Sequence, residues 1–261
     1  MQNPRDKAIN KLISETKDDP DNIALILIGS SATGEAKEYS DIDLYLVVSD
    51  KKAAEIARDK NYFFGSWDPD SYFGIEVDGK VIGMDYLREA VDHANEAVSY
   101  SFLQAKILFS KNNEIEPLIK QIPVYPEKER LRRIKFFYAY VKHYRYVGED
   151  AFDRNNVFHA HQCLLQLIYF SGRLILAHNR KLFPCHKRLL SEVAKCGKCP
   201  EGFLVKCDRA LQNINKEPML DLYQNMIEYF KEYDYPDIER VGYILEDEWS
   251  WKTGILPISE L

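Results

Sequence analysis

The sequence predicts an α+β chain, a small mixed β-sheet domain followed by a C-terminal helical bundle. Three observations carry this reading. Two short apolar runs in the first 50 residues are separated by a small, polar loop. An Asp-Gly pair is flanked by apolar segments, and from about residue 88 apolar residues recur at helical spacing. The expected domains are residues 1–122 and 123–261, with Pro123 and Pro126 bracketing the join.

Ala8, Ile9, Leu12 and Ile13 recur at helical spacing, so residues 5–17 read as an amphipathic helix that Asp19-Pro20-Asp21 ends. Ile23 to Ile28 is a continuous apolar run suited to a buried strand. Ser31 to Ser40 is small and polar, a loop or short helix, and Asp41 to Val48 is a second strand. A helix over about 51–60 follows. Asp78-Gly79 is a two-residue hairpin signal, so Tyr72–Val77 and Lys80–Tyr86 are expected to be antiparallel strands. Helices are expected at 88–107, 114–121, 128–147, 156–179, 186–195, 202–213 and 217–232. On helix 156–179 the buried side is expected to carry Phe158, Leu164, Leu165, Leu167, Ile168 and Ile175. The last 25 residues read as irregular, with Trp249, Trp251 and Pro257 packing back onto the body.

With 46% apolar and 29% charged residues, the chain has the composition of a globular protein with a proper core. No apolar run approaches the roughly 20 residues of a membrane span, and the N-terminus lacks the apolar stretch of an export signal. The expected location is the cytoplasm. Five cysteines, an odd number, argue against a disulfide framework. Cys196, Cys199 and Cys207 with His186 resemble a zinc set, but no second well-spaced pair completes it, and they are read as ordinary thiols. His159 and His161 lie two apart, on different faces of their helix, which argues against a shared metal.

The net charge of −6 is unevenly spread: −8 over residues 1–110 and +8 over 126–190. An acidic protein suits long nucleic acid poorly, because such a ligand rewards many simultaneous phosphate contacts. A local basic band suits one small polyanion such as a nucleoside triphosphate, or is simply a solvated helix face.

The chemistry is concentrated in Gly29-Ser30-Ser31-Ala32-Thr33-Gly34 and Asp41-Ile42-Asp43. Side chains alternate along a strand, so Asp41 and Asp43 share one face, with Cα atoms about 6.6–6.8 Å apart. Two carboxylates converging to about 4 Å repel by ~4 kcal/mol at an effective dielectric of 20, which calls for a cation. Oxygen ligands favour Mg²⁺ or Mn²⁺. The alternative is a solvated pair at a strand mouth. Gly29 lets the chain turn sharply after a buried strand and bring backbone N–H groups near a phosphate, and Ser30 adds a hydroxyl donor. Gly29, Ser30 and Ser40 are therefore candidate nucleotide-binding residues. Glu35 after Gly34 excludes a Walker loop, and the absence of G-x-G-x-x-G excludes a Rossmann turn.

An apolar strand, Gly-Ser, a short spacer and Asp-x-Asp on the next strand resemble the signature of the DNA polymerase β nucleotidyltransferase superfamily. Residues 23–48 look most like the bacterial aminoglycoside and lincosamide nucleotidyltransferases and related small proteins. The resemblance implies that Asp41 and Asp43 hold metal and that a third carboxylate stands on a neighbouring strand. Asp85 is favoured for that place, with Glu76 as competitor. It further implies transfer of a nucleoside monophosphate from a triphosphate to a hydroxyl, with release of pyrophosphate. In the helical half, Asn179 to Pro184 with Lys187 resembles helical domains appended to bacterial nucleotidyltransferases. Arg173, Lys181 and Lys187 are candidate triphosphate contacts there, or else solvated helix ends. The expected acceptor is a small hydroxyl compound. A module modifying a partner protein, antitoxin-like or regulatory, and a non-catalytic nucleotide binder are the other classes.

Overall fold

The computed structural model describes residues 3–38, 40–252, 254 and 258, and divides into two compact units, Met1–Val124 and Tyr125–Leu261. The first unit opens with α1 (Pro4–Thr16), where the Asn3 side chain accepts from the Arg5 N–H and Pro4 occupies the first turn. β1 (Asn22–Ile28), α2 (Gly29–Thr33), β2 (Ile42–Val48) and α3 (Asp50–Asp59) follow. Next come β3 (Phe63–Ser66), β4 (Val77–Gly83), α4 (Met84–His93), α5 (Glu96–Ser101), β5 (Lys106–Ser110) and α6 (Ile115–Gln121).

The five strands form one sheet in the order β3-β4-β2-β1-β5. β2 and β4 are parallel, and the β1–β2, β1–β5 and β3–β4 pairs are antiparallel. Alternation along the central strands divides the core. Leu25, Leu27, Leu44, Leu46, Val77 and Val81 pack with Ala8 and Leu12 of α1 on one face. Ala24, Ile26, Tyr45, Val47 and Ile82 pack with Leu87 of α4 and with Ile115 and Ile119 of α6 on the other. Both central strands are apolar on both faces because both faces are covered.

Two expectations fail here. Asp78-Gly79 is not a turn: both residues lie inside β4, and the antiparallel partner is Phe63–Ser66. Gly79 serves a close backbone approach, since a Cβ there would meet the Phe64 carbonyl and lie 2.7 Å from the Phe64 ring. The helix expected over 88–107 is instead α4, then α5 with Asn95 as its cap, then β5. Ile107 and Phe109 of β5 pair with β1, a long-range contact that helical spacing does not reveal.

The second unit is helical: α7 (Arg130–Asp153), α8 (Val157–His178), α9 (Leu189–Val193), α10 (Phe203–Gln212), α11 (Lys216–Tyr229) and α12 (Asp237–Glu248). Arg130 donates to the carbonyls of Ala177 and His178, satisfying acceptors left open at the end of α8. α12 lies within the tail expected to be irregular, and Trp249 and Trp251 are exposed, not packed back. Pro257 lies outside the described residues. Leu164, Leu167, Ile168 and Ile175 are buried, but Phe158 and Leu165 are exposed. Phe158 sits in the first turn of α8, beyond the packed part of the helix. No described helix is long and apolar enough to cross a membrane.

Candidate active site

The end of β1, the start of β2 and the start of β4 meet at one edge of the first unit. In register, Ile28 lies opposite Asp43 and Asp43 opposite Asp78. Paired residues project to the same side of a sheet, so Asp43 and Asp78 share the face that carries Tyr45 and Ile82. Asp41, one residue before β2, joins them. One carboxylate oxygen from each of Asp41, Asp43 and Asp78 lies within 4.8 Å of the others, and all three residues are half-buried. Among the described residues this is the one such group of histidine, cysteine, aspartate or glutamate.

The acid brought together with Asp41 and Asp43 is Asp78, and Asp85, the expected third carboxylate, stands apart from them. Asp85 lies past the opposite end of β4, in the first turn of α4, where Val48 and not Asp43 is the neighbouring strand residue. It is exposed and paired with Arg88 at 3.0 Å. Glu76 is also exposed, and its carbonyl accepts the Ile42 N–H where the parallel pairing begins. The available signal was alternation: Val77, Gly79 and Val81 on one side, Asp78, Lys80 and Ile82 on the other. The Asp-Gly turn signal masked it.

The turn into α2 depends on Gly29. Its φ is +66°, and a Cβ there would overlap the Asp43 carboxylate and lie 3.0 Å from its Cγ. Gly29→Ala is expected to cost at least about 1 kcal/mol of stability from the left-handed backbone alone. It is also expected to weaken divalent-metal binding by displacing Asp43. Denaturant unfolding and metal titration check both, and wild-type values in each would refute the apposition.

Between α2 and β2 the loop is closed by side chains. The Ser40 hydroxyl accepts from the Lys37 N–H at 2.9 Å, and Ser31 donates to the Asp41 carbonyl at 3.3 Å. Ser30 is buried, and its carbonyl accepts from the Thr33 hydroxyl. Behind the acids, the Tyr45 ring stacks on Phe102 with centroids 5.2 Å apart and meets Tyr86 at 5.9 Å. Burial, first, and the Tyr45 neighbour push the Tyr86 phenol above its ordinary range, so it stays a protonated donor.

The basic residues of the second unit are mostly engaged. Arg173 is 1% exposed, its guanidinium 4.6 Å from the Phe137 and Phe183 ring centroids, and it donates to the Tyr169 hydroxyl. That burial does not fit a triphosphate contact. Lys135, Lys142 and Arg180 pair with Glu239, Asp234 and Glu127 within the unit. The Lys181 ammonium donates to the Lys195 carbonyl, and Lys187 is exposed. Burial pushes the Cys199 thiol up to about 11 and the Cys207 thiol up to about 12.

A small mixed sheet with three acids gathered beside a Gly-Ser turn defines the nucleotidyltransferase class. Residues 9–136 match the nucleotidyltransferase domain family, and this part of the chain belongs to it. The match supports a nucleotidyltransferase enzyme. Among solved structures, a nucleotidyltransferase-like protein from Exiguobacterium sibiricum is 14% identical with a TM-score of 0.48, covering 96% of this chain and 92% of its own. A spectinomycin adenyltransferase, AAD(9), from Enterococcus faecialis with ATP and spectinomycin is 15% identical with a TM-score of 0.33, covering 84% and 96%. A toxin-antitoxin with AMP-PNP is 21% identical with a TM-score of 0.28, covering 49% and 90%. No curated protein matches the sequence. Likenesses this distant leave the assignment resting on the domain match.

Proposed function

We propose that the chain moves a nucleoside monophosphate from a nucleoside triphosphate to a hydroxyl of a small acceptor, with divalent metal, releasing pyrophosphate. The observation that carries this reading is the cluster of Asp41, Asp43 and Asp78. Three ionised carboxylates with oxygens within 4.8 Å repel one another. Solvent screens part of that repulsion, and a cation held between the oxygens would offset the rest. An all-oxygen donor set of that charge fits Mg²⁺ or Mn²⁺. A bound ion would neutralise the phosphate oxygens and the developing negative charge.

The protein's own part is positioning and proton transfer. Gly29, Ser30 and Ser40 flank the acids and are assigned to the triphosphate. Asp78 takes the proton of the acceptor hydroxyl as its oxygen bonds to the α-phosphorus. The α–β bridging bond breaks, and pyrophosphate leaves with the electron pair. The acceptor assignment rests on charge: residues 1–110 carry −8, a field that repels a long polyanion and admits a cationic or neutral hydroxyl compound.

The test is transfer of α-labelled nucleotide to a panel of small hydroxyl compounds, with mixed RNA and total protein as parallel acceptors. Metal-dependent pyrophosphate release with labelling of a small compound is the expected result. Labelling of RNA 3′ ends or of a protein band would refute the small-acceptor reading. Nucleotide binding without release would leave a binder and refute the catalytic reading.

A further inference from the structure

α1 contributes no carboxylate to the cluster, yet its side chains hold both segments that deliver the acids. Its start is capped by Asn3 with Pro4 in the first turn, and its Ala8 and Leu12 side chains are fully buried in the core on one face of the sheet. From that fixed base the half-buried Arg5 reaches the loop between α2 and β2. One guanidinium nitrogen, Nη1, donates to the Ser31 hydroxyl at 2.7 Å and to the Asp41 carbonyl at 3.0 Å. The other, Nη2, donates to the carbonyls of Ser40 at 2.6 Å and Lys37 at 3.2 Å. Three loop carbonyls and one hydroxyl are thus satisfied by a single planar fork, a geometry that an ammonium cannot reproduce. Further along α1, the Lys11 ammonium donates to the Ser71 carbonyl, and the Tyr72 hydroxyl donates to Glu15. These bonds anchor the segment that leads into β4 and Asp78.

We infer that Arg5 is a positioning residue for the three-acid cluster, acting through the backbone of Asp41. It ties the residue after the Gly-Ser turn, Ser31, to the residue that begins the Asp-x-Asp motif, so the two halves of the motif move as one body. Carboxylates that repel one another splay apart unless the backbone beneath them is held. Arg5 supplies that hold for Asp41 without touching its carboxylate. The inference rests on the cluster's being a metal site.

The test compares Arg5→Ala and Arg5→Lys with wild type in the full chain. Mn²⁺ affinity is measured by calorimetry without nucleotide, and amide exchange is followed over residues 31–41. Arg5→Ala is expected to weaken Mn²⁺ binding on the order of 10-fold or more, as loss of an outer support to a ligand does. Exchange should quicken in the loop while β1 and β4 stay protected. Arg5→Lys should fall between the two, and saturating Mn²⁺ should restore most of any pyrophosphate release in Arg5→Ala. A merely structural role would lower the melting temperature and the active fraction while leaving the affinity of the folded protein unchanged. That result, or wild-type affinity with wild-type loop exchange, overturns the inference. Wild-type Mn²⁺ binding that Arg5→Ala weakens, without pyrophosphate release by either protein, supports Arg5 and refutes the proposed reaction. Absence of Mn²⁺ binding in wild type overturns both.

Discussion

Asp43→Asn is expected to abolish metal-dependent nucleotide binding and to bring pyrophosphate release below detection. Asp43 is central to the cluster: it pairs with Asp78 across the parallel strands, faces Ile28 on the other side, and lies against Gly29. An amide removes one anionic ligand from the three and places an N–H₂ donor where a cation would sit. The fold should persist, because Asp43 is half-buried while Ile42 and Leu44 on either side stay in the core. In the metal-free protein, removing one of three mutually repelling charges should leave the melting temperature unchanged or raised. Calorimetry with Mg²⁺ and a non-hydrolysable triphosphate, together with a melting curve, checks both halves. Equal metal-dependent affinity in mutant and wild type would refute the site.

Asp78→Asn should separate from Asp85→Asn by two orders of magnitude. Asp78 has its oxygen with those of Asp41 and Asp43, so its loss should suppress turnover by a factor on the order of 10² or more while largely sparing triphosphate binding. Asp85 is an exposed partner of Arg88 at the far end of β4. Such an exposed, solvent-screened ion pair contributes little, and Asp85→Asn should turn over at nearly the wild-type rate. Steady-state pyrophosphate release for the two variants decides the matter. A crippled Asp85→Asn with an active Asp78→Asn would reverse the assignment of the third acid.

Much of this protein is written in local sequence. The apolar runs around Ile23–Ile28 and Ile42–Val48 bury both faces of the central strands, and their shortness and β-branched content suit a strand covered on both sides. The same-face placement of Asp41 and Asp43 follows from the two-residue period of a strand, and Gly29 follows from a turn that admits no Cβ. These features depend on neighbours along the chain.

What the tertiary structure decided depends on neighbours across it. Asp78 became the third acid because β4 runs parallel to β2 in a register that sets Asp78 beside Asp43, and strand register is not encoded in either strand alone. Gly79 looked like a turn residue because its real constraint, the approach of the Phe64 backbone, belongs to another strand. β5 was hidden because five residues with mixed spacing become a strand only against β1. Arg173 looked like a free cation at the end of a helix, but three rings from α7, from its own helix and from the segment after it enclose the guanidinium. Arg5 carried no motif at all, since three of its four acceptors are backbone carbonyls more than 30 residues away, which no side-chain pattern announces. Period and composition determine which residues can face a common side, and long-range pairing determines which of them meet.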